Sequence, residues 1–219
     1  MIKIFTSLLF IVIALTAFSQ NFRLGFQASP QISWMSSDKA GILNYKVQPG
    51  IKYGVEADIF MAGSPRYCLN SGLFVASHSF TGQYSLTEPF TLNLSTFNNK
   101  VLIRYKLNYL EIPLIIKLKS DQFYRSTYYG QFGLSNQFNL SATAFSSDYQ
   151  LAGDNVNKHI TMYNAAMVVG GGMEYDVAGN TALNIGLQYT NGFVDITRIN
   201  KLVEKTTFQT LRIVFGVMF

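Results

Sequence analysis

The stretch YLEIPLIIKLK, Tyr109–Lys119, constrains this chain more than any other. Leu110, Ile112, Leu114, Ile116 and Leu118 fall on one parity. Tyr109, Glu111, Pro113, Ile115, Lys117 and Lys119 fall on the other. Side chains of a β-strand alternate between two faces, so this period of two writes one greasy face and one largely polar face. The same pattern recurs about eight times, to the last residue. The strands are expected over 22–34, 47–61, 67–80, 101–119, 127–141, 162–175, 181–193 and 207–219. Ser71 and Phe74 spoil the alternation of the third. In the fourth, Arg104 and Lys106 share the greasy parity, so either they stand above the apolar region or a bulge shifts the register. Pro113, which cannot donate to a ladder, suggests an irregularity nearby.

The connections alternate long and short. Transmembrane barrels place short turns on the periplasmic side and long loops outside. Eight strands with both termini periplasmic give four outer loops and three inner turns. Charged residues make up 13% of the chain and aromatics 15%, a low charge for a large soluble domain. After residue 20 no apolar run reaches the roughly 20 residues of a membrane helix. The expected fold is therefore all-β: an eight-stranded antiparallel up-and-down transmembrane β-barrel with a polar, side-chain-filled interior, in the cell outer membrane. A soluble barrel would carry the opposite polarity.

Residues 1–19 read as a signal peptide, leaving 20–219 as the barrel domain. Lys3 supplies the positive start, Ile4–Thr16 the apolar run, and Ala17 and Ser19 the small residues before a cleavage at Gln20. No Cys stands directly after this segment to carry a lipid anchor. Cys68 is the sole cysteine, so no internal disulfide forms, and a lone strand thiol reads as packing.

With the greasy face outward, Arg23, Lys52, Lys117 and Arg212 point inward with Glu56, Asp58, Glu111 and Glu174. The signs balance. An eight-stranded barrel has room inside only for side chains, and buried charges are tolerated when paired. These eight residues are expected to form an interior polar network, a plug rather than a pore, with Gly25, Gly54, Gly72, Gly133, Gly170, Gly172, Gly186 and Gly216 leaving space. Tyr53, Tyr67, Tyr109, Tyr128, Tyr163, Tyr175 and Tyr189 are candidates for interfacial girdles.

Chemistry-bearing motifs are sparse. Gly170–Gly172 lies within a strand and lacks the helix and Lys of a phosphate loop. One Cys and two distant His make no metal-site spacing. His78 and His159 fall near the outer ends of their strands, with Ser77, Ser79, Asp148 and Asp154 nearby, but spacing alone establishes no triad. They read as solvated rim histidines. No catalytic residue, cofactor or metal is expected. Basic residues are scattered, which gives no support for nucleic-acid binding. The loops at 36–46, 81–100 and 142–160, rich in Ser, Thr, Asn and aromatics, are where a protein partner would bind.

The same residues resemble a known family. YLEIPLIIKLK at Tyr109–Lys119, VVGGGMEYDV at Val168–Val177, LNIGLQYTNGFVDI at Leu183–Ile196 and FGVMF at Phe215–Phe219 are similar to segments of the PorT-like outer-membrane β-barrel proteins of Bacteroidetes-type bacteria. The resemblance spans essentially all of 20–219. It implies outer-membrane lipid as surroundings and the barrel-assembly machinery as a partner during biogenesis, with Phe219 as the assembly signal. The expected role is non-enzymatic: an interaction or secretion-accessory protein. The alternatives are a small porin-like solute channel and a rim hydrolase.

Overall fold

A computed structural model describes residues 22–37, 42–61, 64–84, 90–92, 95–97, 101–146, 151–196 and 206–219. The signal segment, Asp148, and parts of the segments 36–46, 81–100, 142–160 and 195–206 lie outside the described residues. The strands are β1 (Phe22–Ser37), β2 (Ile42–Phe60), β3 (Tyr67–Tyr84), β4 (Phe90–Leu92), β5 (Ser95–Phe97), β6 (Val101–Lys119), β7 (Ser126–Ser146), β8 (Leu151–Asn155), β9 (Tyr163–Ala178), β10 (Thr181–Gly192) and β11 (Thr206–Met218). Eight of them pair antiparallel in the ring β6-β3-β2-β1-β11-β10-β9-β7, and β7 returns to β6 to close it. At the β1–β11 seam, the Leu24 and Phe219 backbones exchange hydrogen bonds of 3.1 and 2.8 Å. Closure leaves no edge among these eight strands, the condition for a sheet to sit in lipid. The fold class expected from the sequence is the one observed.

The greasy parity faces out. Leu114, Ile213, Phe215 and Val217 are exposed, Leu110 and Ile112 half-exposed, and the exposed apolar set continues around the barrel through Phe26, Val55, Leu73, Phe132, Val169 and Leu187. The Leu24–Phe219 pair and the short turns that follow β2, β6 and β9 share one end. Gly179 has φ +56° and Tyr124 φ 57° in these turns. Several strands run beyond the expected limits at the other end: β2 begins at Ile42, β3 continues to Tyr84 and β7 to Ser146. β7 has 21 residues, against the roughly 9–11 that cross a bilayer. The ladder continues past the point where the outward residues turn polar, so the hydrophobic period stops before the strand does. Part of the segment 142–160 is itself structured: β8 pairs with β7.

The irregularities also resolve. Pro113 causes no register shift. The β3–β6 ladder omits the pairs opposite Ile112 and Pro113 and resumes in register at Phe74↔Glu111, as a missing N–H requires. The bulge lies at Asn108/Tyr109 in the β6–β7 pairing and inserts Leu140 on β7. β6 therefore keeps one parity throughout, and Arg104 and Lys106 stay outward.

Candidate functional site: the barrel interior

Alternation delivers every second side chain of eight strands into one narrow space, and the ring brings partners together that are far apart in sequence. At the turn-bearing end, Lys117 Nζ lies 2.9 Å from Asp58 Oδ2 and 3.5 Å from Glu174 Oε1. Lys119 Nζ lies 3.0 Å from Asp58 Oδ2 and 2.9 Å from Glu174 Oε1. Arg23 reaches Glu174 at 3.1 Å from the mouth, where it is partly exposed. Two acids and three bases thus form one cluster. Lys119, the last residue of β6, is a member absent from the network expected from the sequence, although it shares the inward parity of Glu111 and Lys117.

Higher in the barrel, Lys52 Nζ donates to Glu111 Oε1 at 2.8 Å, and Arg212 Nη1 donates to the same oxygen at 3.1 Å. All three side chains are almost wholly buried. Lys52 Nζ also stands 4.0 Å from the centroid of the Phe74 ring. The residue that broke the sequence pattern therefore points inward and gives the ammonium a π face. Glu56 lies between the clusters. It accepts from Asn70 Nδ2 at 3.1 Å and has no ion pair among the described residues, in contrast to the pairing expected for the acids. Gln137, Gln188, Gln131, Asn184 and Ser135 fill the remaining wall positions, all buried.

Above the Glu111 triad the lining changes. His78 is fully buried, its ring 4.6 Å from Phe208 and 5.8 Å from Tyr109. Its Nδ1 lies 3.1 Å from Ser33 Oγ and 3.3 Å from Thr210 Oγ1. His78 is thus no rim residue, because β3 continues well beyond it. Its side-chain neighbours are hydroxyls, an amide and rings, and among the described residues no Ser77, Ser79 or Asp154 side chain joins it. Ser77 and Ser79 point the other way, and the side chain of His159 lies outside the described residues. Tyr109, a girdle candidate, is likewise wholly inside.

Beyond His78 the interior is largely apolar: Met35, Phe80, Ile103, Tyr105, Leu107, Ala142, Ala144, Val156, Ile160, Ile196 and Phe208 belong to one cluster, with Ser146 and Thr206 buried beside it. The charged and polar side chains therefore occupy the inner and middle layers, and an apolar cluster packs in the outer ones. The bulge at Leu140 helps build it. Odd residues of β7 face inward up to Gln137, and even residues, Ala142 and Ala144, do so after the bulge. Of the other tyrosines, Tyr67, Tyr128 and Tyr175 are exposed at the turn-bearing end, and Tyr163 and Tyr189 are exposed toward the other. Trp34 joins Tyr189 there, with centroids 6.3 Å apart. Cys68 is buried, its Sγ 3.8 Å from the Lys117 carbonyl. No cluster of metal-ligating side chains occurs among the described residues.

Residues 18–198 match a family model described as outer membrane protein beta-barrel domain. No curated protein matches. Among solved structures, Neisserial surface protein A is 16% identical, with 90% of this chain and 97% of that chain covered and a TM-score of 0.47. OprG from Pseudomonas aeruginosa is 13% identical, with coverage of 91% and 96% and a TM-score of 0.46. AlkL, solved by solid-state NMR in DMPC lipid bilayers, is 14% identical, with coverage of 91% and 89% and a TM-score of 0.43.

Proposed function

The chain belongs to the outer membrane protein β-barrel domain family and resides in the outer membrane, and on that premise we propose that it acts without an open pore, as a non-enzymatic interaction or secretion-accessory protein. The observation that carries this reading is the stacked interior: two ion clusters below, an aromatic–apolar plug above. With the lumen filled, contact surfaces remain at the two ends. Loops on a rigid scaffold are where binding residues concentrate, and we place the partner site on the segments 81–100 and 142–160. Within the family we assign the chain to the PorT-like group, on the strength of the Tyr109–Lys119 strand. Phe219, exposed on the outward face and 5.8 Å from Phe26, is the residue we propose the assembly machinery reads.

A narrow solute channel is the second reading. It draws on a polar recess of about 220 Å³ at the turn-bearing mouth, lined by Arg23, Arg66, Lys119, Asp121, Glu174 and Asp176 among others. That recess leads onto the Lys119–Glu174 pair, which favours a closed barrel. Purification from native membranes in mild detergent tests the partner reading. A stoichiometric partner retained by the full chain, and lost when 81–100 is replaced by a short Gly-Ser linker, supports it. Absence of any reproducible partner counts against it.

A further inference from the structure

The outward face of β6 carries two cations directly above its apolar strip. Arg104 and Lys106 are exposed on the same parity as Leu110, Ile112 and Leu114, and no carboxylate among the described residues pairs with either. The change from apolar to polar occurs at one level on three neighbouring strands. Cross-strand register aligns Val75 with Leu110, then Ser77 with Asn108 and Ser141, then Ser79 with Lys106 and Thr143. Asn108 Nδ2 donates to Ser141 Oγ at 2.9 Å within that first polar row. With a rise of about 3.3 Å per residue and a tilt of about 45°, Lys106 stands about 28 Å above Leu118 along the membrane normal. The apolar band of such barrels is about 25 Å tall. Both cations therefore sit at headgroup level.

A recess is built beside them. The β2–β3 register shifts between Val47 and Ile51, and the displaced segment forms one wall of a groove of about 460 Å³. Ser77, Ser79, Arg104, Lys106 and Phe145 line the rest. Two serines, an arginine and a lysine thus line one groove. That donor set suits a phosphate, which Arg meets through paired N–H groups and Lys as a point charge. Below the groove, Val75, Leu110 and Ile112 continue as an unbroken apolar track.

We propose that this groove binds the phosphate of a phosphorylated lipid of the outer leaflet, whose acyl chains lie along that track. A cation at the edge of hydrocarbon gains most from an anion anchored at the same depth, and each basic residue near an anionic lipid surface contributes severalfold to binding.

Native mass spectrometry of the full mature chain, released from neutral detergent doped with lipid A, tests this. The wild type should retain the lipid about 30-fold more strongly than an Arg104→Gln/Lys106→Gln variant, a factor that follows from two such charges. Arg66→Gln, at the opposite end, should bind as the wild type does. Dephosphorylated lipid should be lost as readily from the wild type as lipid A is from the double variant. Heat-modifiable gel mobility reports folding, and if the double variant does not fold, Lys106→Gln and the dephosphorylated lipid decide the question. Equal retention by variant and wild type, equal retention of the dephosphorylated lipid, or full displacement of lipid A by millimolar inorganic phosphate would overturn the proposal.

Discussion

Lys52 of β2 and Glu111 of β6 meet inside the lumen, over the intervening β3, with 2.8 Å between Nζ and Oε1, both almost wholly buried. Removing the carboxylate leaves Lys52 and Arg212 as uncompensated buried cations. Breaking such a pair costs about 3–5 kcal/mol. Glu111→Ala is therefore expected to lower the denaturant midpoint of the refolded protein by a corresponding amount. Replacing the whole triad with Lys52→Met, Glu111→Leu and Arg212→Met should recover most of that loss, because the desolvation cost goes with the charges. A triple variant no more stable than Glu111→Ala would contradict an ion-pair origin.

His78 and Phe208 hold the boundary between the polar layers and the apolar plug. Phe208→Ala is expected to cost about 3–5 kcal/mol, as large buried aromatics do when truncated. His78→Ala should cost about 2–4 kcal/mol through the cavity and the lost Nδ1 contacts. Chemical denaturation in vesicles reads both. Values within 0.5 kcal/mol of wild type would mean that this layer is loosely packed.

Gly130 and Gly133 belong to the same strand and give opposite expectations. A Cβ on Gly133 would lie 2.2 Å from the Leu114 carbonyl oxygen and 2.7 Å from Ile115 Cα, whereas one on Gly130 meets nothing within 4 Å. Gly133→Ala should destabilise by about 1–3 kcal/mol, since backbone must shift, and Gly130→Ala should be neutral within about 0.5 kcal/mol. Equal effects, measured side by side, would remove the close β6–β7 approach from the explanation.

These residues also show what was legible in the chain. The period of two survives any solvent, so the outward face from Phe22 to Phe219 could be read along with the closed antiparallel barrel. Inward positions were harder. Ile103, Leu107 and Ala144 look like lapses in a polar pattern until closure stacks them. His78 reads as a rim residue because the expected strand stops at Phe80, whereas β3 runs on to Tyr84. Lys119 and Asp58 are 61 residues apart, and no local spacing announces such a pair. Leu140 reverses the parity of β7 without any glycine or proline to mark it.

The outward face makes its own prediction. Leu114 is 48% exposed at the centre of the apolar strip of β6. In a bilayer, Leu114→Arg should cost about 2–4 kcal/mol, and Leu102→Arg, beyond Arg104, about 0–1 kcal/mol. Equilibrium unfolding from lipid vesicles gives both numbers. Two equally mild substitutions would indicate that water, not lipid, bathes this face.

Planar-bilayer recording of the refolded mature chain tests the occluded lumen most directly. A barrel filled by the Lys52–Glu111–Arg212 triad and capped by the Phe208 cluster gives a flat current at all moderate voltages. Steady unitary steps from the wild-type chain would show a continuous aqueous path and contradict a closed barrel.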